Sequence, residues 1–157
     1  MTELTEKATL GSRCCASMAG EGDSSMRHRF QWSASVNTGI EELDAQHQRL
    51  LHLINLLDGT DDEEVDPVIL ELRRFLHCHF ACEEALMEAY SDRHLIDQRR
   101  DHVEGMESFE ELIRGYERGT VTKDELCELV YRWLVAHTVE SDMAMARSVL
   151  AVRLAVG

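Results

Sequence analysis

Six ionisable side chains fall on the apolar faces of the predicted helices, and they limit the folds that the chain can adopt. Four are histidines, one on each predicted helix, and two are carboxylates that follow two of these histidines. The six residues are His47, His79, Glu83, His102, His137 and Asp142. A buried imidazole or carboxylate is costly unless it is paired, and a metal ion is a partner that suits both. The pattern therefore predicts that four helices converge on one polar site inside a bundle.

Apolar residues recur with helical periodicity along most of the chain. Helices are expected over about residues 38–57, 66–90 and 95–117, with a fourth that begins at 122–125 and a short terminal helix over 143–155. Short loops between such helices favour antiparallel neighbours. The chain is therefore predicted to be all-α, an antiparallel up-down-up-down four-helix bundle.

A polar segment precedes this bundle. Residues 1–28 are small and polar without an apolar period, which is typical of a disordered leader, so the domain is expected over residues 29–157.

The segments T38-G-I-E41 and T122-K-D-E125 have the spacing of a capping box. Asp66 before Pro67 resembles a helix N-cap. These signals predict where three of the helices begin.

Charge and composition exclude several classes of protein. A net charge of −14 argues against nucleic acid or an anionic membrane surface as the partner. No apolar stretch approaches the length of about 20 residues that a membrane span needs. Charged residues interrupt the N-terminus where a signal peptide would be apolar. The five cysteines include no Cys-x-x-Cys pair, which favours reduced thiols and a cytoplasmic location.

The spacing of the carboxylates refines the prediction of a metal site. His79 and Glu83 are four residues apart, so both lie on one helix face. His137 and Asp142 are five residues apart, which an α-helix would place on diverging faces. If both bind the same cluster, the helix must widen locally to a π-type turn between Thr138 and Asp142.

The ligand types indicate which metals would suit such a site. Imidazoles with two carboxylates and no thiolate suit iron, zinc or copper, and two carboxylates that can bridge favour a dinuclear site. Structural zinc usually needs only four ligands. A single core histidine is more often merely hydrogen-bonded, but few inward-facing cations are available to neutralise Glu83 and Asp142. A histidine-rich iron pair would favour binding a diatomic gas over hard oxidation chemistry.

The chain resembles the hemerythrins, specifically the single-domain bacterial kind. The matching pieces, in order, are Trp32, V36-N-T-G-I40, D44-A-Q-H47, H79-F-A-C-E83-E84 with Met87, His102, W133-L-V-A-H137 and Asp142. They are dispersed between residues 32 and 142, which makes the resemblance much more specific than one short motif. Asp44 is interpreted as a capping or outer residue of this pattern and not as a ligand.

The resemblance implies a cofactor of two non-haem iron ions (Fe2+/Fe3+), joined by an oxo or hydroxo bridge. By this resemblance Glu83 and Asp142 also bridge the irons. One iron, which would bind O2, is held by His47 and His79, and the other by His102 and His137. Trp133 and Leu134 would line the pocket for the gas.

One position departs from the family pattern. The hemerythrins have a fifth histidine four residues before His102, and this chain has Gln98 there. Glutamine is a weak ligand or none, so the iron held by His102 and His137 would be one strong ligand short. His94 is a poor substitute, since it lies two turns, about 12 Å, from His102.

The leading interpretation is a di-iron protein that binds O2, or NO or another small anion, for storage, delivery or sensing. One alternative is a peroxidase-like redox enzyme that uses the position opened by Gln98, and another is a simple iron-binding stress protein. An enzyme would profit from a general acid or base at that position, and Gln98 is neither. The residues therefore favour a binding protein over an enzyme. No protein partner can be inferred.

Overall fold

The structure is a computed structural model that describes residues 29–156. The leader expected over residues 1–28 lies outside the described residues. Five α-helices and no strands are present in the part of the chain that the structure describes. They are α1 (Glu41–Gly59), α2 (Val65–Ala89), α3 (Leu95–Glu117), α4 (Lys123–His137) and α5 (Met143–Val156). Helices α4 and α5 form one continuous rod, since a π-helical turn over Thr138–Asp142 joins them.

The first four helices form the predicted up-down-up-down bundle. Helix α1 packs against α2 and α4, and α3 packs against the same two helices from the opposite side. Short connections join consecutive helices, so neighbours run antiparallel. Among residues 29–156, no helix is both long enough and apolar enough to cross a bilayer.

Two apolar clusters occupy the interior of this bundle. The larger cluster includes Leu50, Leu72 and Leu126, and the smaller includes Leu43 and Met87. Along α1, α2 and the α4–α5 rod, residues of one cluster precede the ionisable positions and residues of the other follow them. The six polar residues therefore lie in a layer between two closely packed apolar clusters. The packing of these clusters holds the helices in place around the layer.

The start of α1 differs from the prediction of a capping box at Thr38. The helix begins at Glu41, and Ile40 before it makes no side-chain cap. Instead, the Asp44 carboxylate accepts hydrogen bonds from the Thr38 backbone N–H (2.6 Å), the Thr38 hydroxyl (2.8 Å) and the Gly39 N–H (3.1 Å). The predicted capping box is wrong because Asp44, within the first helical turn, binds Thr38 in place of Glu41. The Asp44 carboxylate therefore bonds to the residues that precede the helix, in agreement with its interpretation as a capping or outer residue.

The other two predicted helix starts have different outcomes. Helix α2 begins at Val65 after a 3-10 turn over Asp62–Glu64, so the prediction of Asp66 as N-cap is wrong. The reason is that the 3-10 turn leads directly into the helix. Its acidic residues lie near the helix N-terminus, where negative charge is favourable. The capping box of Thr122 and Glu125 at the start of α4 is confirmed, with both reciprocal hydrogen bonds present.

Candidate metal centre

Glu83 lies at the middle of the polar layer and faces histidines on two sides. One of its oxygens, Oε1, is 3.1 Å from His79 Nε2 on the same helix. The other oxygen, Oε2, is 2.9 Å from His102 Nε2 on α3. The Glu83 side chain has no solvent exposure. A single carboxylate therefore has one oxygen available to each of two neighbouring sites.

Asp142 repeats this arrangement from the opposite side. Its Oδ2 is 3.0 Å from His47 Nε2, and its Oδ1 is 3.0 Å from His137 Nε2. The atoms fall into two groups, which we call the first half of the centre (His47 and His79) and the second half (His102 and His137). Each half brings the ring nitrogens of its histidines within 4.8 Å of a carboxylate oxygen of Glu83.

The π-helical turn places Asp142 in the centre. The turn spans Thr138–Asp142, as the five-residue spacing of His137 and Asp142 predicts, and Asp142 is fully buried. In such a turn the hydrogen bonds run between residues five apart, so positions five apart return to one face. The prediction of local widening is therefore confirmed, and the widening turns the Asp142 carboxylate toward His47 and His137.

The centre contains buried polar atoms that the protein does not satisfy. The Nε2 atoms of all four histidines lack a hydrogen-bond partner, and so do Glu83 Oε1 and Asp142 Oδ2. They approach one another at 2.9–3.8 Å without the angular geometry of hydrogen bonds. Unsatisfied buried groups of this kind are rare and destabilising. Nitrogen and carboxylate donors that converge so closely fit metal cations, which would satisfy all of these atoms.

The imidazoles and carboxylates of the centre shift one another's pKa values in opposite directions. Burial alone would lower the pKa of His47, but the carboxylates of Asp142 and Glu83 outweigh it and raise that pKa to about 9. The same opposition raises the pKa of His137 to about 10. Burial alone would raise the pKa of Glu83, but the imidazoles, His79 foremost, hold it well below its ordinary value. Cations that bind here must displace these protons.

Outer hydrogen bonds orient one histidine in each half. His79 Nδ1 lies 2.8 Å from Gln46 Oε1. A proton on Nδ1 would be donated to this acceptor and would leave Nε2 with a lone pair that faces the centre. His102 Nδ1 lies 2.8 Å from Glu84 Oε1. Arg99 holds the other Glu84 oxygen at 3.1 Å. Sequence reasoning missed the roles of Gln46 and Glu84. Glu84 stands beside Glu83 in the matching motif, but only the packing of α2 on α3 brings it to His102.

Gln98 occupies the second half as a hydrogen-bond donor. Its side chain is 4% exposed, and its Nε2 lies 3.0 Å from Asp142 Oδ1 and 3.5 Å from Glu83 Oε2. The amide therefore touches both shared carboxylates at the position where the family pattern has a histidine. His94 lies elsewhere, because its side chain is about half exposed and its Nδ1 pairs with Asp92 at 3.0 Å.

Aromatic rings cover the second half of the centre. Phe80 stacks on His102 with ring centroids 4.1 Å apart, and Trp133 stacks on His137 at 4.8 Å. Both rings border a largely apolar cavity of about 400 Å³ between α2, α3 and α4. Leu134 is fully buried beside them in the larger apolar cluster. Of the two residues predicted to line a gas pocket, Trp133 borders this cavity and Leu134 is not among its lining residues. The sequence analysis missed Phe80, which directly follows His79.

Comparisons with known proteins agree with this geometry. Residues 38–147 match the family model described as the hemerythrin HHE cation-binding domain. A bacteriohemerythrin of Pseudomonas paraeruginosa is 33% identical over 115 residues, which cover 71% of this chain and 75% of that protein. A hemerythrin-like protein of Naegleria gruberi is 32% identical over 114 residues, 73% and 88% of the two chains. No solved structure gives a significant match.

The bundle, the buried side chains that could hold cations and these matches define one class of protein. The chain belongs to the hemerythrin family.

Proposed function

We propose that this protein holds two non-haem iron ions and binds O2, or another small diatomic or anion, for storage, delivery or sensing. The observation that carries the proposal is the pair of buried carboxylates, each with one oxygen beside a histidine of either half. Two carboxylates that can bridge neighbouring cations are typical of dinuclear sites. A cytoplasmic location is proposed with it, supported by the free thiols of Cys78 and Cys127.

Each half would hold one iron, with Glu83 and Asp142 shared and an oxo or hydroxo bridge between the ions. Iron supplies the redox chemistry that lets a small ligand bind reversibly. The protein's part is to hold the imidazoles in one tautomer, to satisfy the carboxylates and to exclude water. The burial of all six residues and the outer contacts to His79 and His102 support this assignment.

Gln98 sets the expected difference between the two irons. Its amide is neutral, a weaker ligand than an imidazole, and its nitrogen already donates to Asp142. The iron of the second half would therefore be one strong ligand short, with water or a small anion completing its coordination. We infer weaker retention of that iron and faster oxidation of the pair to the diferric state.

The apolar cavity supports access by a small uncharged molecule. Its wall is formed largely by apolar side chains, with Phe80 and Trp133 between the cavity and the histidines. We propose that these two rings and Leu134 line the route of the gas and keep bulk water from the centre. An apolar route favours O2 or NO over hydrated ions during entry.

A redox enzyme is the second candidate, and the position left by Gln98 is what favours it. Peroxide turnover, however, would profit from a general acid or base that is free to act. The buried imidazoles and carboxylates already face one another in the centre, and Gln98 does not titrate. Binding of a small ligand therefore accounts better for the residues present.

Metal content per chain, measured with the optical spectrum of the reduced protein before and after exposure to air, tests the proposal. Two irons with a band that disappears on deoxygenation would establish reversible O2 binding. One iron, or a band that forms once and never reverses, would reject O2 carriage and favour redox or sensing roles. Protein purified with zinc alone would reject the di-iron assignment.

A further inference from the structure

One buried hydroxyl in the polar layer has no partner. Thr138 is fully buried, and its Oγ1 makes no hydrogen bond to any described residue. The hydroxyls of the other threonines in residues 29–156 all donate one. These are Thr38 to Asp44, Thr60 to the Leu56 carbonyl, Thr120 to the Gly115 carbonyl and Thr122 to Glu125. Thr138 is therefore the exception among them.

The missing bond is unexpected for a threonine in a helix. The hydroxyl of a helical threonine commonly bonds to the carbonyl four residues before it, which here belongs to Leu134. In this structure the Leu134 carbonyl accepts from the Thr138 backbone N–H, and the Thr138 hydroxyl does not bond to it. A buried hydroxyl without a partner destabilises the fold, whereas a valine of nearly the same shape would not. Hydrogen bonding within the protein therefore does not account for a hydroxyl at this position.

The π-helical turn gives the position of this hydroxyl. Thr138 is the first residue of the turn and Asp142 is its last. In a turn wider than an α-helical one, residues four apart lie nearly above one another on the same side. Asp142 directs its carboxylate at His47 and His137 from that side. Thr138 therefore lies one turn from Asp142 on the side of the helix that faces the centre.

We propose that the Thr138 hydroxyl donates a hydrogen bond to the small ligand that the centre takes up. This inference rests on the proposed function. It identifies the ligand class as one whose outer atom carries negative or partly negative charge, such as azide or a partly reduced diatomic molecule. An entirely apolar molecule would gain nothing from the hydroxyl. Thr138 would then set specificity for polar ligands at the end of an apolar route.

The first test needs no metal, because it compares melting temperatures of the metal-free protein. Replacing the unpartnered hydroxyl by a methyl group in Thr138→Val is expected to leave the melting temperature unchanged or to raise it by about 2–4 °C. Thr38→Val is the matched control, since Thr38 is also buried but bonds to Asp44, and it is expected to lower the melting temperature. A fall in Thr138→Val as large as in Thr38→Val would mean a structural hydroxyl and would overturn the proposal.

The second test measures azide affinity of the oxidised, iron-loaded protein by spectroscopic titration. Loss of a hydrogen bond to a charged ligand is expected to weaken azide binding about tenfold or more in Thr138→Val. Thr138→Ser keeps the hydroxyl and should stay within about threefold of wild type. If Thr138→Val fails to fold, Thr138→Ala compared with Thr138→Ser replaces it.

The outcomes separate this inference from the proposed function. Wild-type protein that takes up no iron would reject the proposed function and the inference together. Iron-loaded wild-type protein that binds azide as tightly as Thr138→Val would reject only the role of Thr138. Weaker binding in Thr138→Val, with affinity kept in Thr138→Ser, would support it.

Discussion

The two halves of the centre share their carboxylates but orient their histidines with different partners. In the first half, His79 Nδ1 is held by the neutral amide of Gln46. In the second half, His102 Nδ1 is held by the Glu84 carboxylate. A charged acceptor on the outer nitrogen makes an imidazole a stronger base and a stronger metal ligand than a neutral acceptor does.

The stronger outer partner therefore belongs to the half that has Gln98 in place of a histidine. The Glu84 carboxylate, about a quarter exposed, is itself held by Arg99 at the surface. If Gln98 is the weaker ligand that we propose, the charged partner of His102 would partly offset it. The metal affinity of each half would then depend on these outer contacts as well as on the side chains that face the cation.

Removing a shared carboxylate should have the largest effect on metal binding, because both halves lose the same charged group. Glu83→Gln keeps the shape but removes the charge that both halves use. We expect metal content to fall from about two ions per chain to nearly none, measured by elemental analysis. Glu84→Gln, at the neighbouring residue, is the control and should affect only the second half. A Glu83→Gln protein that keeps both ions would show that this carboxylate is not shared.

Restoring an imidazole should make the two halves more alike. In Gln98→His, the second half gains a strong ligand at a position that is already buried. We expect chelator-driven loss of iron and oxidation of the reduced protein to slow about tenfold. His94→Gln is the control, since His94 pairs with Asp92 away from the centre. Unchanged rates in Gln98→His would mean that Gln98 does not weaken the second half.

The outer partners should differ in importance. Glu84→Gln removes a charged acceptor from His102 and should weaken metal binding in the second half about tenfold or more, within the range known for such partners. Gln46→Leu removes a neutral acceptor from His79 and should have a smaller effect on the first half. Competition titrations with a coloured chelator measure both affinities. A larger effect of Gln46→Leu would mean that the neutral acceptor of His79 contributes more to metal affinity than the charged acceptor of His102 does.

The sequence predicted the layout of the bundle and the π-helical turn for physical reasons that are local. The bounds of α3 were predicted correctly because a polar loop over residues 91–94 precedes its apolar period and Gly119, which adopts a positive φ, follows its end. The π-helical turn followed from a spacing of His137 and Asp142 that an α-helix cannot satisfy. Periodicity along one helix is enough for inferences of this kind.

Contacts between helices were much less predictable. Gln46 lies 33 positions from His79, and Glu84 lies 18 positions from His102. Whether such residues meet depends on the rotation of each helix about its axis, which periodicity specifies only coarsely. The same limit hid Phe80, whose ring lies on His102 of another helix. The convergence of the six side chains was thus predictable from the sequence, but the groups that orient them required the packed structure.

The pH dependence of the stability of the metal-free protein should also reflect the histidines of both halves. The pKa of His47 in the first half is raised to about 9 and that of His137 in the second to about 10, against 6.5 for an ordinary histidine. A raised pKa in the folded state contributes stability that is complete below about 6.5 and is lost as pH rises through the folded-state value. The free energy of unfolding should therefore decline from about pH 6.5 to pH 10, and urea unfolding at several pH values measures it. The iron-loaded protein should not show this decline, because the cations have displaced the same protons. An equal decline in both forms would mean that these histidines are not the groups that the cations bind.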